Sequence, residues 1–369
     1  MQLTEDPTDP EVIAIMERAR KYQHLLPRAS EAFAARAQSS ITEPAPPRNG
    51  RFYEGPKPLT SGPWRPVSAE EGRAKAIGAM VGMAVGDAVG TTLEFQLRDR
   101  ATITDMVGGG PFSLQPGQWT DDTSMALCLA QALVEQGDFK PHAFADELVA
   151  WYREGRHSPT GTCFDIGNTT RRAIESYIAT GTPSEAPAEF SSSGNGSLVR
   201  AAPAAIFTRG NFQRMWTIAG AQSAVTHRAV HAVSAAQFFS AKIWDALNGA
   251  SKEEALSPRV LPVTNRVLLV NAGEYKTKAR SEISSSGFAI DTLEAALWSV
   301  WTTGNFEDAV LTAANLADDA DSVAAAAGQL AGALYGVDAI PQHWRQRLAW
   351  YDRIEALAVR LFDMAPAYS

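Results

Sequence analysis

From residue 69 onward, apolar residues recur at a spacing near 3.6. The runs are rich in Ala, hold few alternating β-branched stretches, and break at Gly, Pro and Ser clusters. This pattern predicts an all-α body with helices over about 123–136, 169–180, 212–247, 292–301 and 306–335. A final amphipathic segment over 341–361 places Trp344, Leu348, Tyr351, Ile354, Leu357 and Leu361 on one stripe. Gly78, Gly82, Gly86 and Gly90 recur four apart, so one helix carries a ridge of minimal side chains that a neighbour can approach closely; that helix is expected at the centre. The longest apolar stretch, 76–85, stops at Asp87 and falls short of the roughly 20 residues a bilayer crossing needs, so no membrane span is expected.

The first 69 residues read differently. Ten of the 21 prolines fall before residue 68, marking an N-terminal arm over 1–69 ahead of a body over 70–369. Asp9 followed by Pro10 reads as an N-cap with proline at the first helical position, and Val12, Ile15, Met16, Ala19, Tyr22 and Leu26 then share a face. A second short helix is expected to start at Ser30. The segment 42–66 has too many prolines for regular structure but carries Phe52, Tyr53 and Trp64, which want a surface, either on this chain or on a partner protein.

The formal charge of −8 over 369 residues supplies no basic field, so nucleic acid is not the expected partner. The two cysteines, Cys128 and Cys163, make no disulfide scaffold, and the N-terminus lacks the charged and apolar regions of a secretory leader; the cytoplasm is the expected compartment.

Two acidic clusters change the picture. Thr120-Asp121-Asp122-Thr123 opens one predicted helix, and Asp318-Asp319-Ala320-Asp321-Ser322 interrupts a run otherwise made of Ala, Leu, Val and Gly. Acids at a helix start compensate the dipole, which accounts for the first cluster taken alone. The second has no such account, because ionised carboxylates among buried Ala and Leu cost several kcal/mol each unless a cation compensates them. Oxygen donors from Asp, Thr and Ser suit Mg²⁺, Mn²⁺ or Ca²⁺ better than zinc, and four or five carboxylates suit two ions. An EF-hand is excluded, since counting from Asp319 the sixth position is Ala324 and the twelfth Leu330. No Walker A motif, nucleophile elbow or dinucleotide fingerprint is present, and His227 and His231 lack the Glu that a zinc protease helix places after the first His.

These residues fall within a longer set. The run Gly78 to Gly90 with Glu94 beyond it, GQWTDDTSMAL (Gly117 to Leu127), PTGTCFDIGNTTRRA (Pro159 to Ala173), GNGSLVRAAP (Gly194 to Pro203), Thr226-His227, SSSGFAIDTLEAALW (Ser284 to Trp298) and NLADDADSVAAAAGQLAGALYG (Asn315 to Gly336) stand in order. Together they resemble the ADP-ribosylglycohydrolases over about residues 72 to 365, most of all the arginine-specific bacterial members of the dinitrogenase-reductase-activating type. The resemblance implies an all-α, orthogonally packed multi-helix domain with two Mg²⁺ or Mn²⁺ ions in a cleft.

By the same resemblance, Thr120, Asp121 and Asp122 match the first metal-binding motif and Asp319, Asp321 and Ser322 the second. One departure is that the family usually has two glycines before the second motif and a Thr at its end, where this chain has Ala317, Asp318 and Ser322. Asp165 and Glu94 are implied at the scissile bond, although Asp165 also reads as a helix N-cap. Gly194, Asn195, Gly196 and Ser197 are implied at the pyrophosphate, where bare amides suit an anion. Asn168, His227 and Ser285, Ser286, Gly287 and Phe288 are implied as further substrate contacts. The implied activity is metal-dependent removal of ADP-ribose from a protein arginine, which reverses mono-ADP-ribosylation. Rivals are serine-linked or polymeric ADP-ribose as substrate, and a binding protein whose arm blocks an ADP-ribosyltransferase toxin, with or without hydrolysis.

Overall fold

A computed structural model describes residues 6–27, 65–183 and 186–365, and among them the protein is all-α, with no β-strand. The expected second helix from Ser30 and the aromatics Phe52, Tyr53 and Trp64 lie outside the described residues.

The principal helices are α1 (Pro10–Ala19), α2 (Ala69–Gly90), α3 (Asp121–Gln136), α4 (Pro141–Glu154), α5 (Asn168–Thr180), α6 (Ala202–Phe207), α7 (Phe212–Thr226) and α8 (Val230–Leu247). They continue with α9 (Asn265–Asn271), α10 (Ala289–Thr302), α11 (Phe306–Ala314), α12 (Ala320–Tyr335), α13 (Gln342–Arg347) and α14 (Tyr351–Met364).

Helix α2 is central, and α12 lies antiparallel along its glycine ridge. A Cβ added at Gly78 would stand 2.3 Å from the carbonyl oxygen of Gly332, at Gly82 2.4 Å from that of Gly328, at Gly86 2.0 Å from that of Ala324, and at Gly90 2.4 Å from that of Ala320. The two helices therefore meet backbone to backbone in steps of four residues. By length and composition 69–93 could cross a membrane, with a mean hydropathy of 1.4, but 94% of that window is buried inside the protein. The close pairing fixes what lies at its end: Asp87 on α2 and Asp321 on α12 arrive side by side.

Three predicted helices are each two. The expected helix over 212–247 breaks at His227, which leaves helical conformation between α7 and α8. That over 306–335 breaks at Ala317 and Asp318, both left-handed at φ 60° and 61°, so the second acidic cluster straddles a turn and the first residues of α12 rather than lying inside a continuing helix. The last segment breaks at Trp350, also left-handed at φ 54°. Apolar periodicity runs through such breaks because both halves pack on one core. Helix α4 escaped the sequence reading.

The N-terminal helix folds back on the body. Asp9 caps α1 by accepting from the Glu11 N–H, as its sequence predicts. Ile15 and Ala19 pack on Leu268 and Leu269 of α9, Arg266 pairs with Glu11 at 3.1 Å, and Leu261 N–H donates to the Leu25 carbonyl at 3.0 Å.

Candidate active site

Helix starts build the acidic wall. Asp121 and Asp122 are the first residues of α3, and Asp319 and Asp321 flank the start of α12, so two helix N-termini point their positive ends at one place. Asp87, which the sequence reading did not assign, ties them together. One of its oxygens accepts from the Thr120 N–H and hydroxyl, both at 2.9 Å, and the other from the Thr123 N–H at 3.0 Å and hydroxyl at 2.7 Å. The Thr120 hydroxyl also lies 3.1 Å from Asp321 Oδ2. A buried acid at the end of a glycine ridge is the signal that could have found it.

Glu94 and Asp165 meet the same cluster. Their carboxylate oxygens and one from Asp321 all lie within 4.8 Å of one another. Asp165 sits at φ 58° and hydrogen-bonds Glu94 and Asp121, so it does not act as the helix cap its sequence also suggested; the N-cap of α5 is Gly167, without a side-chain cap. Ser322 reaches both Asp122 and Asp319.

The electrostatics are those of acids short of a counter-charge. Burial, then neighbouring carboxylates led by Asp321, pushes Glu94 up to about 12. Asp165 rises to about 8 and Asp319 to about 6, with burial the main cause in each, and Asp121, Asp122 and Asp321 are raised well above the carboxylate range. Glu94 Oε2, Asp122 Oδ2 and Asp321 Oδ1 are buried without a hydrogen-bond partner. Among the described residues, no lysine, arginine or histidine is in ion-pair contact with this cluster. Several oxygen donors, some unpartnered, with no protein cation between them fit a hard divalent ion.

The opposite wall is a turn of bare amides. The Asn195 carbonyl accepts from Leu198 and Val199, and the Gly196 and Ser197 N–H groups find no acceptor among the described residues. The turn pairs with the 287–289 segment through Asn195 N–H to the Gly287 carbonyl at 3.1 Å and Ala289 N–H to the Ser193 carbonyl at 2.9 Å. Asn195 also donates to Asp319 and to Thr292, joining the two walls. His227 lies behind the glycines, and burial lowers it to about 3, so its ring is neutral.

The remaining expected contacts divide. Phe288 faces Phe190 with ring centroids 5.7 Å apart and Arg266 over both, an aromatic pair of which the sequence reading named one half. The Ser285 and Ser286 hydroxyls are engaged inside the fold, Ser285 accepting from Arg98 and donating to the Leu316 carbonyl, Ser286 donating to Asp291. The Ser197 hydroxyl accepts from Ser223 and is fully buried, so only its amide is available. Asn168 stands exposed at the first position of α5, with no hydrogen bond to the cluster among the described residues. At the rim, Phe95 and Leu97 are exposed beside Glu94.

Comparison with known proteins places the chain. Residues 68–368 match the pattern that describes the ADP-ribosylglycohydrolases. The chain is 49% identical over 357 residues to the ADP-ribosylarginine hydrolase Tri1 of Pseudomonas putida GB-1, covering 95% of this chain and 94% of that one. It is also 32% identical over 283 residues to the ADP-ribosyl-[dinitrogen reductase] glycohydrolase of Rhodospirillum rubrum, covering 74% and 90%. A solved structure described as an ADP-ribosylglycohydrolase-related protein complex superposes with a TM-score of 0.71 at 38% identity, covering 80% of this chain and all of that one.

Proposed function

The chain belongs to the ADP-ribosylglycohydrolase family, and from that premise we propose that it hydrolyses the bond between ADP-ribose and a modified arginine of a protein, in the cytoplasm, using two Mg²⁺ or Mn²⁺ ions. The observation that carries this reading is a set of unpartnered buried carboxylate oxygens joined, through the Asn195–Asp319 hydrogen bond, to a turn of free amides. The body over 70–369 is its catalytic domain and residues 1–69 its arm.

Hydrolysis breaks the C1″–N bond, places a water oxygen on C1″ and returns a proton to the leaving guanidine. Thr120, Asp121, Asp122, Asp319, Asp321 and Ser322 would hold the ions, whose chemistry is to orient the ribose hydroxyls and lower the pKa of a bound water. Asp87 keeps Thr120 facing that place by accepting its N–H and hydroxyl. Asp165 contacts the guanidinium, a cation that a half-buried acid beside Glu94 attracts, and the Glu94 and Asp165 pair handles the proton. The Gly196 and Ser197 amides donate to the pyrophosphate. The Phe190 and Phe288 rings offer the distal base a stacking surface.

The test is release of ADP-ribose from an arginine-modified protein, with a serine-modified protein as comparison. Release from the arginine adduct with Mg²⁺ and none with EDTA is expected; equal activity in EDTA would sink the metal role, and preference for serine would sink the substrate assignment.

A second role rests on coverage. A match to 95% of this chain must reach into residues 1–67, ahead of the family pattern, so the Tri1 relative shares part of the arm. We infer that the arm blocks an ADP-ribosyltransferase toxin, making the protein an inhibitor and immunity factor as well as a hydrolase. Replacing Phe52, Tyr53 and Trp64 with Ser in the full chain should abolish capture of the transferase and leave hydrolysis intact. Retained capture overturns the inference.

A further inference from the structure

Arg200 is a buried charge with no part in the reaction described so far. It lies at the end of the GNGSLVR motif and is fully buried, its guanidinium 4.9 Å over the Phe144 ring. Among the described residues no carboxylate forms an ion pair with it. Burying an unpaired guanidinium is costly, so its hydrogen bonds need an explanation. Nε donates to Gln222 Oε1 at 2.7 Å, and Nη2 donates to the Gln222 carbonyl and the Thr226 hydroxyl, each at 2.8 Å.

The last of these settles a hydrogen position further on. A guanidinium only donates, so Thr226 Oγ1 must accept from Arg200. Its own hydrogen has one acceptor among the described residues, His227 Nδ1 at 2.7 Å. The hydroxyl oxygen has lone pairs for two donors, but accepting from both Arg200 and His227 would leave its own buried hydrogen without an acceptor; donation to Nδ1 satisfies every group, and a neutral imidazole that accepts at Nδ1 carries its hydrogen at Nε2. Burial, and then the Arg200 charge behind the ring, keeps that imidazole neutral.

The Nε2 edge faces the amide turn. A Cβ on Gly194 would stand 3.4 Å from Nε2, and one on Gly196 would stand 3.0 Å from Cε1 and 3.4 Å from Nε2. The missing Cβ atoms let the ring edge pack close against the turn, beside the free N–H groups of Gly196 and Ser197.

We propose that Arg200 and Thr226 are positioning residues that lock His227 in its Nε2–H tautomer, so that the ring joins the Gly194 to Ser197 amides as an obligate donor to the pyrophosphate of ADP-ribose. The lock rests on hydrogen-bond direction alone, whereas its ligand rests on the function proposed above. A mixture of tautomers would present a lone pair to an anion part of the time. Arg200 thus acts through two intermediaries and touches no substrate.

The experiment combines ¹⁵N-histidine spectra of the full chain with calorimetric binding of free ADP-ribose in Mg²⁺. In wild type, His227 should show a protonated Nε2 and an unprotonated Nδ1 from pH 5 to 8. Thr226→Val removes the directing hydroxyl at constant shape and should mix the tautomers and weaken ADP-ribose binding about tenfold, the scale of one hydrogen bond to a charged group. Thr226→Ser should restore both readouts. A wild-type His227 protonated at Nδ1 overturns the lock, as does a Thr226→Val protein with wild-type tautomer and affinity. A wild type with the expected tautomer that binds no ADP-ribose leaves the lock standing and overturns the ligand, and with it the proposed substrate.

Discussion

The acidic wall leaves buried oxygens of Glu94, Asp122 and Asp321 without a partner, whereas behind the amide turn the buried Arg200 donates from Nε and Nη2 to Gln222 and Thr226. Asp87 shows the boundary between them. It is as buried as its neighbours, but both its oxygens are filled by Thr120 and Thr123, so it serves as a support rather than an open donor. Single buried atoms also go without a partner elsewhere, at Ser240 and Arg345 for example, but at the acidic wall three carboxylate oxygens of one cluster do so together, and that concentration marks where a ligand belongs better than burial or charge does.

The largest separation of the walls should come from Asp319→Asn or Asp121→Asn. Loss of an ion-holding carboxylate should reduce hydrolysis by about a thousandfold or more, since the ions are asked for several kcal/mol of the barrier. The same change should raise the melting temperature of metal-free protein, because it relieves repulsion among buried acids. Parallel kinetics and calorimetry check this; a lower metal-free melting temperature would show that these carboxylates support the fold.

Next in size is a pair of opposed pH effects in metal-free protein. Asp319 at about 6 and Asp165 at about 8 are raised above their unfolded values, so the stability they contribute is present below about pH 4 and is lost as pH rises through 6 and 8. His227 is lowered to about 3 from 6.5, so its contribution is present above pH 6.5 and is lost as pH falls toward 3. Urea midpoints across pH 3 to 9 should therefore fall at both ends. His227→Gln should flatten only the acid limb and Asp165→Asn only the alkaline one.

The smallest expected effect is Asp318→Gly. Asp318 is exposed and left-handed, a conformation costing a non-glycine residue roughly 1 kcal/mol, so glycine should stabilise the turn by about that amount, a rise of a few degrees in melting temperature. A fall would mean that the Asp318 side chain contributes more than its backbone costs.

The sequence made the acidic wall legible because charge in an apolar run violates patterning, and the glycine ridge legible because its spacing matches a helical face. It left other features hidden for physical reasons. Breaks at His227, Asp318 and Trp350 carry no proline or glycine, because tertiary contacts, not local propensity, hold these backbones out of the helix. The departure from the usual glycines at Ala317 and Asp318 did flag one such place. Asp87 was concealed inside a motif that reads as packing, and Phe190 and Arg266 are joined to Phe288 only by folding. The direction of the Thr226 hydroxyl belongs to a network, which no single motif displays.

The central claim is that a cation completes the acidic wall. Differential scanning calorimetry at pH 8 of wild type and Asp319→Asn, each in EDTA and in Mg²⁺, tests it most directly. With the ion near a hundred times its dissociation constant, wild type should gain about 2.7 kcal/mol, a rise of roughly 5 °C or more, and Asp319→Asn should gain little. Coincident melting curves for wild type in EDTA and in Mg²⁺ would contradict the account.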